Sequence, residues 1–278
     1  MKPHALKPLT LQDRQEVSTS ILKRIHTFCV ENHISYGVTG GTLIGAVRDK
    51  RFIPWDDDVD IHMLRPDYER FLSSFHCPGL GLLSQYDPKS FIFYSRVYDL
   101  EKTIWKPDFP FRSDYQGGVA VDVFPLDYVE DDYSAFQDRI ERIKVLFQLQ
   151  MQCRETLISY STMPTLKKKA GLLMRKIIRH GGRDISNIKN EALRISREIP
   201  VGSTSHISHL SFPSYPNEKV HWRAEDFAET VLLDFEGFQV CAYNGYDRVL
   251  RTFYGDYMTP PPAKEQMPLH DASGYYWR

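Results

Sequence analysis

The residues whose types and spacing could do chemistry concentrate between Tyr36 and Ile61, YGVTGGTLIGAVRDKRFIPWDDDVDI. A Gly40-Gly41 pair follows a short apolar run, and an acidic run ends as Asp58-Val59-Asp60-Ile61. On a strand, alternate residues share a face, so Asp58 and Asp60 converge while Val59 and Ile61 enter the core. Convergent carboxylates are disfavoured unless a proton or cation neutralises them. Hard divalent ions such as Mg²⁺ or Mn²⁺ take such oxygens and fill their remaining positions with water and phosphate. A glycine turn lets backbone N–H groups approach a phosphate. Further on, Val119–Asp127 reads VAVDVFPLD, with Val119, Val121 and Val123 on one face of a strand and Asp122 on the other. The expectation is a metal-assisted site with Asp58, Asp60 and Asp122 as metal ligands and catalytic carboxylates. An EF-hand does not fit the acidic run, because its loop glycine and terminal glutamate are missing at the required spacing.

Around this centre, Gly40, Gly41 and Thr42 are expected to bind substrate, as a turn at a helix start that presents N–H groups to an anion. Arg48, one turn further on, suits bidentate contact with phosphate. Asp57 joins the expected substrate-binding set, and either Asp56 or Asp57 could orient Arg48 or face solvent. Trp55 has two readings, a stacking surface for a base or choline, and a packed core tryptophan. Arg96, Lys102, Lys106 and Arg112 lie between the acidic strands, and one or two of them are expected to hold a diphosphate. His62, His206 and His209 form no metal-type cluster and are read as structural.

These groups need a framework. Thr10 and Asp13 have the spacing of a capping box. Val17, Ile21, Leu22, Ile25 and Phe28 then repeat at helical spacing up to about Asn32, ahead of a strand over Ile34–Val38. A helix is expected to start at Thr42, behind the glycines, and another at Pro66. Phe91, Phe93, Ser95 and Val97 alternate as a strand. Tyr133–Tyr160, Leu166–His180 and Asp184–Ile199 read as helices, Val231–Ala242 as a hairpin turning at Glu236-Gly237, and Gly245–Tyr254 as a helix. Pro260-Pro261-Pro262 is expected to close the ordered part. The class is α/β, with a mixed-sheet core, flanking helices and a helical insertion at about 131–200, in a single catalytic domain over 1–278.

The chain has 278 residues, 42% of them hydrophobic, and a formal net charge of −1. That balance argues against a nucleic-acid partner, which would call for a basic domain. There is no apolar run of the roughly 18–20 residues that span a bilayer. Cys29, Cys77, Cys153 and Cys241 form no C-x-x-C pair and are read as buried free thiols in a reducing cytoplasm. The stretch Lys167-Lys168-Lys169 with Arg175, Lys176 and Arg179 carries an apolar stripe. It is read either as a packed soluble helix or as a peripheral contact with the inner face of the membrane.

The ordered set of motifs resembles the LicD family, with the fukutin-related proteins, in the nucleotidyltransferase superfamily. The resemblance rests on Gly40-Gly41-Thr42-Leu43, Gly45-Ala46-Val47-Arg48, Ile53-Pro54-Trp55-Asp56-Asp57-Asp58, Asp60-Ile61, Val121-Asp122 and Phe124-Pro125-Leu126-Asp127. Tyr246-Asp247, Leu250, Tyr254-Gly255-Asp256-Tyr257-Met258 and Pro260-Pro261 extend it to the C-terminal region. It implies metal-dependent transfer of phosphocholine from CDP-choline to a hydroxyl of a cell-surface glycan, of teichoic acid or lipopolysaccharide type and in some cases lipid-linked, with release of CMP. Alternatives are another CDP-alcohol (ribitol or glycerol phosphate), a nucleotidyltransferase releasing pyrophosphate, and a binding protein without catalysis.

Overall fold

Thr10 starts the first helix as its spacing predicts. Its hydroxyl accepts from the Asp13 amide at 3.1 Å while the Asp13 carboxylate accepts from the Thr10 amide at 2.9 Å. The helix, α1 (Leu11–Glu31), buries Val17, Ile21, Leu22 and Ile25 on one stripe. The computed structural model describes residues 6–87, 90, 92–106, 117–153, 185–211, 213, 216–268 and 274–278. The expected helix over Leu166–His180, with its basic residues, lies outside the described residues, as do Arg112 and Phe91.

The expected strand over Ile34–Val38 shortens to β1 (Gly37–Val38). The residues ahead of it spend their hydrogen bonds on closing α1: the Ile34 amide donates to the Cys29 carbonyl at 2.9 Å and His33 adopts φ 53°. The next helix begins at the glycines rather than at Thr42. It is α2 (Gly40–Ile44), with Thr39 as N-cap, and it runs into a π-helical turn over Gly45–Asp49.

Strands β2 (Asp60–Leu64), β3 (Leu80–Leu83), β4 (Ser95–Asp99) and β6 (Ala120–Val129) join β1 in a mixed sheet of order β1-β2-β6-β4-β3. The strand β5 (Thr103–Trp105) lies outside that sheet. The β2–β6 pair is parallel, and β1, β4 and β3 are antiparallel to their neighbours. Val59, Ile61, Val97, Val121 and Val123 are fully buried beneath α1 and α3 (Arg65–Ser74). Burying each such side chain contributes about 1.5–3 kcal/mol, so the register of the acid-bearing strands is set from the apolar face.

The far half of β6 pairs with β7 (His206–Ser208), which pairs with β8 (Trp222–Arg223). A second core packs there, from Leu126 and Val129 on β6, Phe136, Ile140 and Ile143 on α4 (Tyr133–Cys153), and Ile195 on α5 (Ile185–Ser196). The hairpin β9 (Thr230–Phe235) and β10 (Phe238–Tyr243) turns at Glu236-Gly237, both at positive φ, and α6 (Tyr246–Tyr254) follows. Pro262 is not the end of the order. Strand β11 (Tyr275–Trp277) pairs with β5 and lays Tyr275 and Trp277 against the main core. Those rings gain more by burial than the preceding prolines signal as a stop.

Candidate active site

The site forms where the N-terminal ends of β2 and β6 meet the start of α2. Asp60 opens β2, and Asp122 is its direct partner across the parallel pair. Arg96 on β4 is in turn the register partner of Asp122. Residues opposite each other on neighbouring strands share a face. Arg96, Asp122 and Asp60 therefore stand in a row, on the face opposite Val97, Val121 and Ile61. Asp58 lies just before β2 rather than on it, yet Val59 and Ile61 remain fully buried, so the expected alternation is kept.

The backbone fixes this arrangement. The Asp122 amide donates to the Val59 carbonyl at 2.9 Å, and the Thr39 amide donates to the Asp60 carbonyl at 3.0 Å. The buried Thr42 hydroxyl accepts from the Asp60 amide at 3.2 Å. Thr42 therefore ties α2 to the acid-bearing strand.

Burial first, then Asp58, Asp122 and Asp56, push the Asp60 carboxyl well above the usual carboxylate range, against the opposing pull of Arg96. Carboxylates crowded in this way lower their energy by sharing a cation. Arg96 serves Asp122 in that role. Its Nε donates to Oδ1 at 2.5 Å and its Nη2 to Oδ2 at 2.7 Å. The guanidinium also reaches the Tyr94 hydroxyl at 3.4 Å, with its carbon 5.9 Å from the centre of the Tyr94 ring. Burial and the neighbouring Asp122 raise the Tyr94 phenol far above its ordinary range, so that hydroxyl keeps its proton.

Among the described residues, the acids whose carboxylate oxygens all lie within 4.8 Å of one another are Asp56, Asp57 and Asp58; Asp60 and Asp122, though in register with each other, do not join that group. Asp57 is the weakest cation ligand of that group, because Arg14 on α1 already neutralises it at 3.0 Å, with both side chains buried. Arg14 stands 43 residues away in the chain, and no local pattern announces the pair. The Asp56 carboxylate packs on Gly41, where a Cβ would lie 2.3 Å from its Oδ2. A Cβ on Gly40, which has φ +58°, would lie 3.6 Å from Asp60 Oδ2 and 3.9 Å from the Tyr254 hydroxyl. The glycines thus let two carboxylates and a tyrosine close on the helix start. The part of Tyr254 in the site was legible only as a motif letter.

Arg48 is not oriented by Asp56 or Asp57. Its Nη2 donates to Asp49 Oδ2 at 2.8 Å and its Nη1 to the Tyr257 carbonyl at 3.2 Å. Trp55 is partly buried against the main core. His62 and His209 are buried with ring nitrogens 3.3 Å apart, and His206 contacts Asp131 at 2.7 Å, away from the carboxylate row.

A mixed α/β sheet that gathers aspartates at the ends of two parallel strands, beside a glycine-started helix, defines the class of this protein. Residues 33–151 match the family model described as LicD/FKTN/FKRP, nucleotidyltransferase domain. The chain is 28% identical over 286 aligned positions to the lipopolysaccharide cholinephosphotransferase LicD of Haemophilus influenzae, covering 97% of this chain and 99% of that protein. Shorter similarity, 34% over 83 residues, links it to the uncharacterized protein RP689 of Rickettsia prowazekii, over 30% of this chain and 28% of that one. The chain is thus similar to the LicD family, through its match to the family model over residues 33–151 and its likeness to the Haemophilus protein along nearly its full length.

Proposed function

We propose that this chain transfers phosphocholine from CDP-choline to a hydroxyl of a lipopolysaccharide-type glycan, releasing CMP. The observation that carries the reading is the crowding of Asp58, Asp122 and Asp56 around Asp60. The donor set is hard carboxylate oxygen, which suits Mg²⁺ or Mn²⁺. The substrate class follows from similarity along nearly the full length to a cholinephosphotransferase.

In this reading Asp58, Asp60 and Asp122 hold the ion, which when bound neutralises charge on the donor diphosphate and on the oxygens of an in-line displacement. The remaining work falls to the protein. Thr42 holds the Asp60 backbone in place. The amides of Gly40 and Gly41 and the guanidinium of Arg48 face the diphosphate, Arg48 exchanging Asp49 for phosphate. An oxygen of Asp122 accepts the proton of the attacking hydroxyl once Arg96 has released it. Trp55, partly buried against the main core, is read as a stacking surface for the donor. Asp57 acts through Arg14, as the anchor that fixes the acidic loop to α1. Among the described residues no helix is long and apolar enough to cross a membrane. Where the acceptor is lipid-linked, this reading has the chain meet it by peripheral contact at the inner face of the membrane.

The test is incubation of the purified chain with a panel of CDP-alcohols, Mg²⁺ or Mn²⁺, and a lipopolysaccharide acceptor. CMP release that depends on CDP-choline and acceptor, with choline label on the glycan, is the expected result. Release of pyrophosphate, or label transferred from the cytidine, would overturn it.

A further inference from the structure

The pair between Arg96 and Asp122 is stronger than a passing surface contact. Both guanidinium bonds are short, and the two side chains are only 23% and 14% exposed. Register places the residues side by side on adjacent strands, and the Tyr94 hydroxyl lies 3.4 Å from the same Nη2 that holds Asp122, with the Tyr94 ring beside the guanidinium. Such a fork engages both carboxylate oxygens and brings a full positive charge onto the acid that stands next to Asp60. A divalent ion approaching Asp122 meets that charge and finds one lone pair on each oxygen already used.

We propose that Arg96 is a built-in counter-cation that competes with the divalent ion for Asp122 and yields it when a nucleoside diphosphate arrives, thereby coupling ion binding to donor binding. This rests on the reading of the acidic cluster as an ion site. The reason for the exchange is chemical. A diphosphate is the other acceptor that a planar guanidinium binds bidentately, so Arg96 can leave Asp122 without losing charge-assisted hydrogen bonds. Without the diphosphate, leaving would strand a half-buried guanidinium. The ion and the diphosphate therefore each remove the obstacle to the other, and linkage requires the effect to be reciprocal. Arg96 acts on the ion through Asp122 and is a positioning residue in this step.

The experiment measures Mn²⁺ binding to the full chain by calorimetry and by the loss of its free paramagnetic signal, with and without CDP as an unreactive diphosphate. Wild-type protein should bind Mn²⁺ weakly alone and more tightly with CDP, by a factor between about 5 and 150. Arg96→Gln should bind Mn²⁺ alone more tightly than wild type and lose most of the enhancement by CDP. Arg96→Lys, which keeps the charge without the fork, should fall between them, and serves if Arg96→Gln does not fold. Thermal melts of all three establish that each is native. If wild type binds no Mn²⁺ in the presence of CDP, the ion site itself falls and this inference with it. If wild type shows the enhancement and both variants keep it in full, the site stands and the role of Arg96 is refuted.

Discussion

Replacing Asp57 by alanine leaves the Arg14 guanidinium buried without the carboxylate that now lies 3.0 Å away. The two side chains are 4% and 1% exposed, so water cannot take over. Breaking a buried pair on one side costs about 3–5 kcal/mol, because a charge remains without compensation. At about 2–4 °C per kcal/mol for a chain near this size, the melting temperature should drop by roughly 6–20 °C. Replacing both partners has a different expected outcome. Arg14 Nε and Nη2 have no hydrogen-bond partner among the described residues, so the pair recovers only part of its desolvation cost. Arg14→Met with Asp57→Val should therefore melt closer to wild type than either single variant. The assay is calorimetric melting of wild type, both single variants and the double variant, with CMP release from CDP-choline measured in parallel below the transition. The double variant should retain most of its turnover if Asp57 works through Arg14. A single Asp57→Ala variant that melts like wild type yet loses turnover would refute the anchoring role and return Asp57 to direct substrate contact.

Asp58→Asn, Asp60→Asn and Asp122→Asn should each lower transfer by more than about 100-fold while circular dichroism stays native, since each removes an anionic ligand worth several kcal/mol in the transition state. In protein freed of metal, Asp60→Asn should also raise the melting temperature at neutral pH, because it relieves the crowding from Asp58, Asp122 and Asp56; a lower melting temperature would count against that crowding. Among the glycines, Gly45→Ala should destabilise far more than Gly202→Ala in denaturant titrations. A Cβ at Gly45 would meet the Arg51 carbonyl at 2.4 Å, whereas nothing lies within 4 Å at Gly202, whose cost is confined to its φ of +76°. The buried Lys189 donates to the Asp87 and Ser90 carbonyls, and burial lowers its pKa to about 8. Its folded pKa lies below its unfolded one, so it lowers stability below about pH 8, and that penalty is relieved as pH rises toward 10.5. Lys189→Met should flatten the stability profile in that window relative to wild type.

Patterns that repeat along the chain were enough to read several of the elements. The capping box at Thr10 and Asp13, the valines flanking Asp122, the Glu236-Gly237 turn and the helix behind Gly245 all depend on neighbours a few residues away, and the structure places each where the sequence indicates. The same local logic brought out Asp58, Asp60 and Asp122 as the acids worth watching, because alternation with buried residues fixes which way a strand residue faces. It said less where the deciding contact was distant or where a local signal was outweighed. Gly41 marked a turn in the sequence, but in the fold it is the surface on which Asp56 rests. Asp57 looked like one more acid of a cluster until Arg14, brought over from α1, gave it a buried partner. Pro260-Pro261-Pro262 read as an end, yet Tyr275 and Trp277 return to pair with β5. Above all, sequence offered Arg96 as one of several basic residues without a partner assigned, and only the β4–β6 register set it against Asp122. Side-chain periodicity is a property of the local backbone and can be read from one strand. Which charge stands opposite which depends on strand order and register, and these are set when the apolar faces of separate segments are buried together.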